Sequence, residues 1–572
     1  MSIDTKIKKE NKSLLMNAGI LAAAGIISKV IGLLYRSPLA NIIGDEGNGY
    51  YGAAYEIYAI VLLISSYSIP SAMSKIISAR LAVGEYKTAQ RIFRCALVYV
   101  TIVGIIGSLF LFFGADFLAA GRASTVLRFF APTIFIFGFL GVLRGYFQAQ
   151  RTMIPSSVSQ ILEQILNAVV SVGAAFYLTQ MIGTGDEHKR AMYGAIGSAL
   201  GTGAGVLIAL FFMLHIYLFN RKEIHKRLET DDHRVLPDRD IYKMIIMIVT
   251  PFILSTAIYN LSSSLNATLF SRILMHVRGV DEARVASMYG IFNGKSKIIT
   301  SLPIALSSAA ASAMLPEVSG LLAKGDKKGA SETISKVTKV ILLIAIPSAV
   351  GLFALAKPFI MILFPQRASI AEAALLLQYL AITVVFYSLS TISNAVLQGI
   401  GKVNTPVINA FVALIVQTGI LAVLLLFTDL GGVALCIVTI VYSLLMCILN
   451  GLALKRSITT NNDIKKTYVL PTIAAAVMGV FAYLSYVLVN FISFIIGRSG
   501  KIAAISADLP FSDYMYSSYF VNLIAAIVAM IVAIVVYFVV LIRTGGASEN
   551  EIRRIPKGYV LVRILKKVKV IR

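Results

Sequence analysis

Apolar runs of twenty or more residues recur along the whole chain, separated by short polar, charged or glycine-bearing segments. A helix needs about 20 such residues to cross about 30 Å of hydrocarbon. The pattern predicts fourteen crossing helices. They begin with 14–43 and 50–79, include 156–182, 243–271 and 285–315, and end with 468–496 and 516–542. The expected fold is therefore all-α, a polytopic membrane protein. The basic N-terminus "MSIDTKIKKENKS" leads into the first apolar run without an A-x-A cleavage site, so it reads as the start of a first helix rather than a removed signal.

Composition agrees with that pattern. Of 572 residues, 58% are hydrophobic and only 14% charged, which does not suit a soluble chain. The net charge of +24 would suggest nucleic acid in a soluble domain. In a membrane protein it reads instead as Lys and Arg gathered in cytoplasmic loops, and no nucleic-acid partner is expected. With the N-terminus inside, the segments on its side carry roughly three times as many Lys and Arg as those opposite. Both termini are thus expected on the cytoplasmic side of the membrane. Cys95, Cys436 and Cys447 lie in or beside apolar segments without metal-ligand spacing and read as core residues.

The halves of the chain echo each other. "SAMSKIISARLAVGEYKTA" from Ser71 and "SAMLPEVSGLLAKGDKKGA" from Ser312 share nine positions without gaps, including Gly84 with Gly325 and Lys87 with Lys328. "RGYFQAQRTMIP", ending at Pro155, and "AVLQGIGKVNTP", ending at Pro406, form a second pair. Six helices separate each copy from its partner, so both copies have the same orientation. The expected domains are an N-lobe over 1–219, a charged linker over 220–242, a C-lobe over 243–454, a further helix pair with its preceding loop over 455–543, and a basic tail over 544–572 that lies against anionic lipid.

Two parallel lobes predict a central cleft, and charged residues inside the spans point to what it holds. "GIISKVIGLLYRSPLANIIG" places Lys29 and Arg36 in the first apolar run, seven residues apart and nearly on one helical face. A basic residue at the bilayer centre costs about 2.5–3.5 kcal/mol on insertion scales, so a lipid-facing lysine there is disfavoured. "NGKSKIITSLP" adds Lys295 and Lys297, about 200° apart on a regular helix, so that at most one is expected to face the cleft. Deep carboxylates are few: Glu56 and Glu163 read either as ion-pair partners that make the burial tolerable or as a coupling-cation site, ion pairing being favoured. Gln160, Glu163, Gln164 and Asn167 share a helical face, which either lines the cavity or bonds neighbouring helices. The bias to positive charge predicts an anionic ligand, phosphate first.

No nucleotide-binding P-loop, no H-E-x-x-H and no G-x-S-x-G with plausible partners is present, so the chain reads as a transporter rather than an enzyme.

The sequences "SKVIGLLYRSPLANIIG", "RGYFQAQRTMIPSSVSQILEQ" and "NGKSKIITSLPIALSSAAASAMLPEVS" resemble the polysaccharide-flippase branch of the multidrug/oligosaccharidyl-lipid/polysaccharide exporter superfamily. Within it they are most similar to the MurJ-type and stage V sporulation protein B group. The resemblance spans nearly the whole chain and implies the cytoplasmic membrane of a bacterium. It implies two six-helix lobes plus a terminal helix pair, alternating access, and a cationic cavity for the diphosphate of lipid II, a lipid-linked cell-wall precursor. It also implies a groove near helices 13 and 14 for the polyprenyl tail. The family's basic pair on helix 1 falls on Lys29 and Arg36, and its helix-8 basic residue on or beside Lys297. Gram-negative members have arginine where Lys29 stands, one residue fewer before the second arginine, and a further arginine in helix 2 without a counterpart here. Lysine lacks the bidentate fork of arginine, so phosphate geometry does not transfer. No cofactor or metal is implied. The energy source is left between the membrane potential and a monovalent ion, and a monomer is expected. Two other cargoes remain open: another undecaprenyl-diphosphate oligosaccharide, or the cationic drugs of a multidrug antiporter.

Overall fold

The computed structural model describes residues 20, 23–67, 69–150, 152–183, 185–364, 366–458, 463–498, 511, 518–546, 559 and 563. The expected lipid-bound tail over 544–572 falls almost wholly outside these residues. Among them there are helices and no strands. In an apolar layer a backbone N–H has no partner but a carbonyl of its own helix, so long apolar runs become continuous helices. Eleven helical runs among the described residues are long and apolar enough to cross a membrane, against fourteen read from the sequence. The expected first span begins outside the described residues, and its visible part, α1 (Ala23–Leu34), is a shorter apolar helix.

Contacts divide the chain into two compact units. One runs to Gly290 and takes in Leu421–Asp429. It holds α1, α2 (Arg36–Leu62), α3 (Ile69–Ala82), α4 (Tyr86–Phe113), α5 (Ala123–Ala149), α6 (Ile154–Ile182), α7 (Glu187–Phe219), the polar α8 (Arg221–Glu229), α9 (Asp238–Arg272) and α10 (Glu282–Gly290). Within α2 the backbone breaks at Gly44, with φ 69° and ψ −177°, in the 44–49 gap between the first two expected spans. Helix α7 lies against α6 along a row of glycines. A methyl group on Gly205 would stand 2.5 Å from the Glu163 carbonyl oxygen, and one on Gly201 would meet the backbone and hydroxyl of Ser171. Small residues at this spacing let two helix backbones approach closely, which sets the depth and direction of α6.

The segment between α7 and α9, expected as a linker, is tied into this unit. The Asp231 carboxylate is 2% exposed and accepts the Lys87 N–H at 2.6 Å and the His233 N–H at 2.9 Å. Burial pushes this carboxyl up, and the hydrogen bonds from Lys87 and His233 outweigh it, leaving a net lowering from the ordinary value.

The other unit comprises Ile291–Ile420 and the chain from Leu430 onward. It opens on a π-helical turn, Ile291–Lys297, and continues as α11 (Ile298–Ala323), α12 (Lys327–Ala354), α13 (Ile370–Ala381), α14 (Thr383–Gly399), α15 (Asn404–Phe427), whose last residues belong to the first unit, and α16 (Gly432–Ser457). The terminal pair, α17 (Leu470–Arg498) and α18 (Tyr519–Arg543), is joined by a hydrogen bond from the buried Tyr486 hydroxyl to Asn522. Tyr537 fastens the pair to α12 by donating to the Leu343 carbonyl at 3.2 Å.

The sequence echo has a structural counterpart in each unit. After α3, Gly84 takes φ 81°, its N–H reaches the Leu81 carbonyl at 3.3 Å, and Glu85 N–H reaches Arg80 at 3.0 Å. After α11, Gly325 takes φ 78°, with Gly325 N–H to Leu322 at 3.0 Å and Asp326 N–H to Leu321 at 3.0 Å. This is the same helix-ending motif, and a positive φ at its centre is what both glycines supply.

Candidate functional site

The first basic pair sits on α1 and the start of α2. Pro38 has no N–H to offer the Leu34 carbonyl, and the helix is interrupted at Tyr35 between Lys29 and Arg36. The regular seven-residue repeat therefore does not by itself set the relative direction of the two side chains. Lys29 is exposed. Arg36 is half-buried, with its guanidinium 5.9 Å from the centre of the Tyr51 ring. A guanidinium over an aromatic face is held by the ring quadrupole.

Around Arg36 stands an aromatic cluster that the charge-based reading of the sequence overlooked. Tyr51 and Tyr55 stack at 5.8 Å, Tyr55 meets Tyr58 at 5.8 Å, and Tyr58 stacks on Phe130 of α5 at 4.6 Å. The signal is present in "GYYGAAYEIY": residues 51, 55 and 58 follow i, i+4, i+7 and share a helical face. Glu56, half-buried on α2, lies within electrostatic reach of Arg36 and of the buried Tyr289. Among the described residues neither Lys29 nor Arg36 stands in an ion pair.

The polar stripe of α6 divides its work among three neighbours. Towards α1, the Ser28 hydroxyl donates to the Gln160 carbonyl at 3.4 Å, and Gln164 Oε1 lies 3.7 Å from where a methyl on Gly32 would stand. Towards α5, Glu163 receives the Arg144 guanidinium at 2.8 Å. Asn167 accepts the Ser171 hydroxyl of its own helix at 2.8 Å, and that hydroxyl also faces the Ser198 carbonyl of α7 at 3.1 Å. The Gln160 Oε1 atom is buried without a hydrogen-bond partner among the described residues.

Arg144 is the main residue that sequence reasoning passed over. Its place near the end of an apolar span and beside Arg151 groups it with the cytoplasmic loop. In the structure it is 6% exposed, bonded through Nε to Ser159 Oγ at 2.9 Å and through its amino nitrogen to Glu163. The partner of Glu163 is thus a third basic residue, neither Lys29 nor Arg36.

In the second unit the structure separates Lys295 from Lys297. Lys295 is 1% exposed, and its ammonium donates to Gln366 Oε1 and Ser369 Oγ, each at 2.6 Å. Lys297 is half-exposed, with its ammonium 6.0 Å from the Phe292 ring centre. Among the described residues no group of three or more His, Cys, Asp or Glu has the arrangement of a metal site.

Comparison with known proteins gives consistent likenesses. The sequence model of the family described as "Polysaccharide biosynthesis protein" matches residues 14–322, and the "MatE" model matches 261–424. The Bacillus subtilis (strain 168) protein "Lipid II flippase MurJ" is 22% identical over 535 residues, covering 89% of this chain and 95% of that one. "Stage V sporulation protein B" of the same organism is 25% identical over 503 residues, covering 85% and 92%. The solved structure "Lipid II flippase MurJ, inward closed conformation" has a TM-score of 0.63 at 14% identity, over 92% of this chain and 99% of that chain. An inward-facing multidrug resistance MATE family transporter of the MOP superfamily also has a TM-score of 0.63, at 18% identity, over 77% and 96%. At such identities the structural likenesses show a shared fold.

Proposed function

Since this chain belongs to the Polysaccharide biosynthesis protein family, and with it to the polysaccharide-transporter branch of the MOP superfamily, we propose that it flips a lipid-linked cell-wall precursor, lipid II, from the inner to the outer leaflet. The cargo's diphosphate is bound by Lys29 and Arg36, with Lys297 making a separate phosphate contact. The protein works as a monomer by alternating access, driven by the membrane potential or a monovalent ion.

One observation carries this reading. Glu163 is neutralised by Arg144, whereas Lys29 and Arg36 stand outside ion pairs among the described residues. Cations without a carboxylate partner inside an apolar run are costly, and an anionic cargo relieves that cost. Cationic drugs, the cargo of a multidrug antiporter, would meet repulsion here instead. The face of the Tyr51 ring attracts the Arg36 guanidinium without neutralising its charge. A cargo that binds one conformation better than another shifts the population toward it, which is the requirement for alternating access.

The test is reconstitution in liposomes with fluorescent lipid II and, in parallel, with an unrelated undecaprenyl-diphosphate oligosaccharide. Faster flipping of lipid II is expected. Preference for the second lipid would reassign the cargo, and movement of neither would overturn the proposal.

A further inference from the structure

Among the described residues three charged side chains are buried: Arg144, Asp231 and Lys295. The first two have carboxylate or backbone partners already accounted for. Lys295 is the most enclosed, and with 1% exposure its ammonium has no route to a cargo in this conformation.

Its surroundings suggest another role. Lys295 lies in the π-helical turn Ile291–Lys297, where i→i+5 bonding widens the helix by one residue. Two consecutive side chains tie this turn to the segment that starts α13. Lys295 donates to Gln366 and Ser369, and the Ser296 hydroxyl lies 2.8 Å from the Ala373 carbonyl. Ser296 Oγ also lies 3.3 Å from the Ile291 carbonyl five residues back, an acceptor that the widened turn presents to it. The division between the two compact units falls at the start of this same turn.

Lys297 closes the turn and caps α11 with ordinary helical φ and ψ. Each residue inserted into a helix rotates every later side chain by about 100°, so the widened turn decides which way Lys297 points. We propose that Lys295 is a positioning residue: by pinning the π-helical turn to the start of α13 it aims Lys297. The consequence for transport rests on the reading of Lys297 as a phosphate contact.

The test uses the full chain in lipid nanodiscs, with Cys95, Cys436 and Cys447 replaced by alanine and a single reporter, Lys297→Cys. The rate of reaction with a charged methanethiosulfonate is measured with Lys295 present and with Lys295→Met, which keeps an unbranched side chain without the ammonium. Ser71→Cys, exposed on α3, serves as a control reporter. Lys295→Met is expected to slow labelling at 297 about tenfold, which corresponds to ~1.4 kcal/mol of lost positional preference, while the control rate stays the same. If Lys295→Met does not fold, Ser369→Ala removes one acceptor and is expected to shift labelling in the same direction. Unchanged labelling at 297 in whichever variant folds overturns the proposal. A companion measurement of lipid II affinity, on Lys295→Met with Lys297 intact, separates the two readings. Altered labelling with unaltered affinity keeps Lys295 as the positioning residue and removes Lys297 from the cargo site.

Discussion

Arg144 on α5 and Glu163 on α6 meet at 2.8 Å, and the same guanidinium reaches Ser159 one helical turn earlier at 2.9 Å. Ser156 completes the joint by facing the Arg144 carbonyl at 3.3 Å. One buried cation thereby ties two helices together and neutralises the carboxylate of the α6 polar stripe.

Removing one partner of this pair leaves a buried charge uncompensated. Arg144→Ala is expected to destabilise by about 3–5 kcal/mol, and Glu163→Gln by less because an acceptor remains. The double variant Arg144→Met/Glu163→Leu should be more stable than Arg144→Ala. Thermal unfolding of the three in detergent gives the ranking, and a double variant no more stable than Arg144→Ala would contradict the coupling.

Lys29→Ala and Arg36→Ala should insert and fold yet lose lipid II binding and flipping. Lys29→Arg should keep part of the activity because the charge persists. Arg36→Lys should do worse, since an ammonium cannot match the planar guanidinium over Tyr51. Liposome flipping assays check each variant. Wild-type rates for Lys29→Ala would remove that residue from the cargo site.

At Gly49 and Gly290 helices α2 and α10 touch backbone to backbone. A methyl on Gly49 would overlap the Ala286 carbonyl, and one on Gly290 would overlap the Asp45 carbonyl. Gly49→Ala and Gly290→Ala should each cost about 1–3 kcal/mol or more through forced backbone shifts. Gly173→Ala, with open space around it, should be neutral or stabilising by about 0.5–1 kcal/mol. Unfolding temperatures in detergent discriminate the two classes.

Asp231 predicts an acid-sensitive joint. Its carboxyl is lowered in the folded protein, so its contribution is fully present above the ordinary unfolded value of about 3.9 and is lost as pH falls through the lower folded value. Protease cleavage within 220–242 should therefore be equally slow at neutral and mildly acidic pH and accelerate only in strong acid. Asp231→Asn should give the fast pattern at neutral pH, because the amide cannot hold the Lys87 and His233 N–H groups as the carboxylate does. Equal cleavage of Asp231→Asn and wild type at neutral pH would contradict this.

What the sequence determined by itself lies along single helices. Long apolar runs, the break near Gly44, the matched turns at Gly84 and Gly325, and the shared face of Gln160, Glu163, Gln164 and Asn167 are all local, because hydropathy, backbone conformation and helical period act over a few residues. The tertiary structure decided which neighbour each side chain meets. Arg144 looks like a loop cation until α6 supplies Glu163, and the tyrosines of α2 look like core residues until Arg36 lies over one of them. Lys295 and Lys297 are equivalent candidates in the sequence, and the difference between them depends on a π-helical turn and on acceptors more than seventy positions away. Periodicity assigns a face within one helix. The choice of partner across helices depends on crossing, depth and an occasional extra residue in a turn, none of which a local pattern encodes.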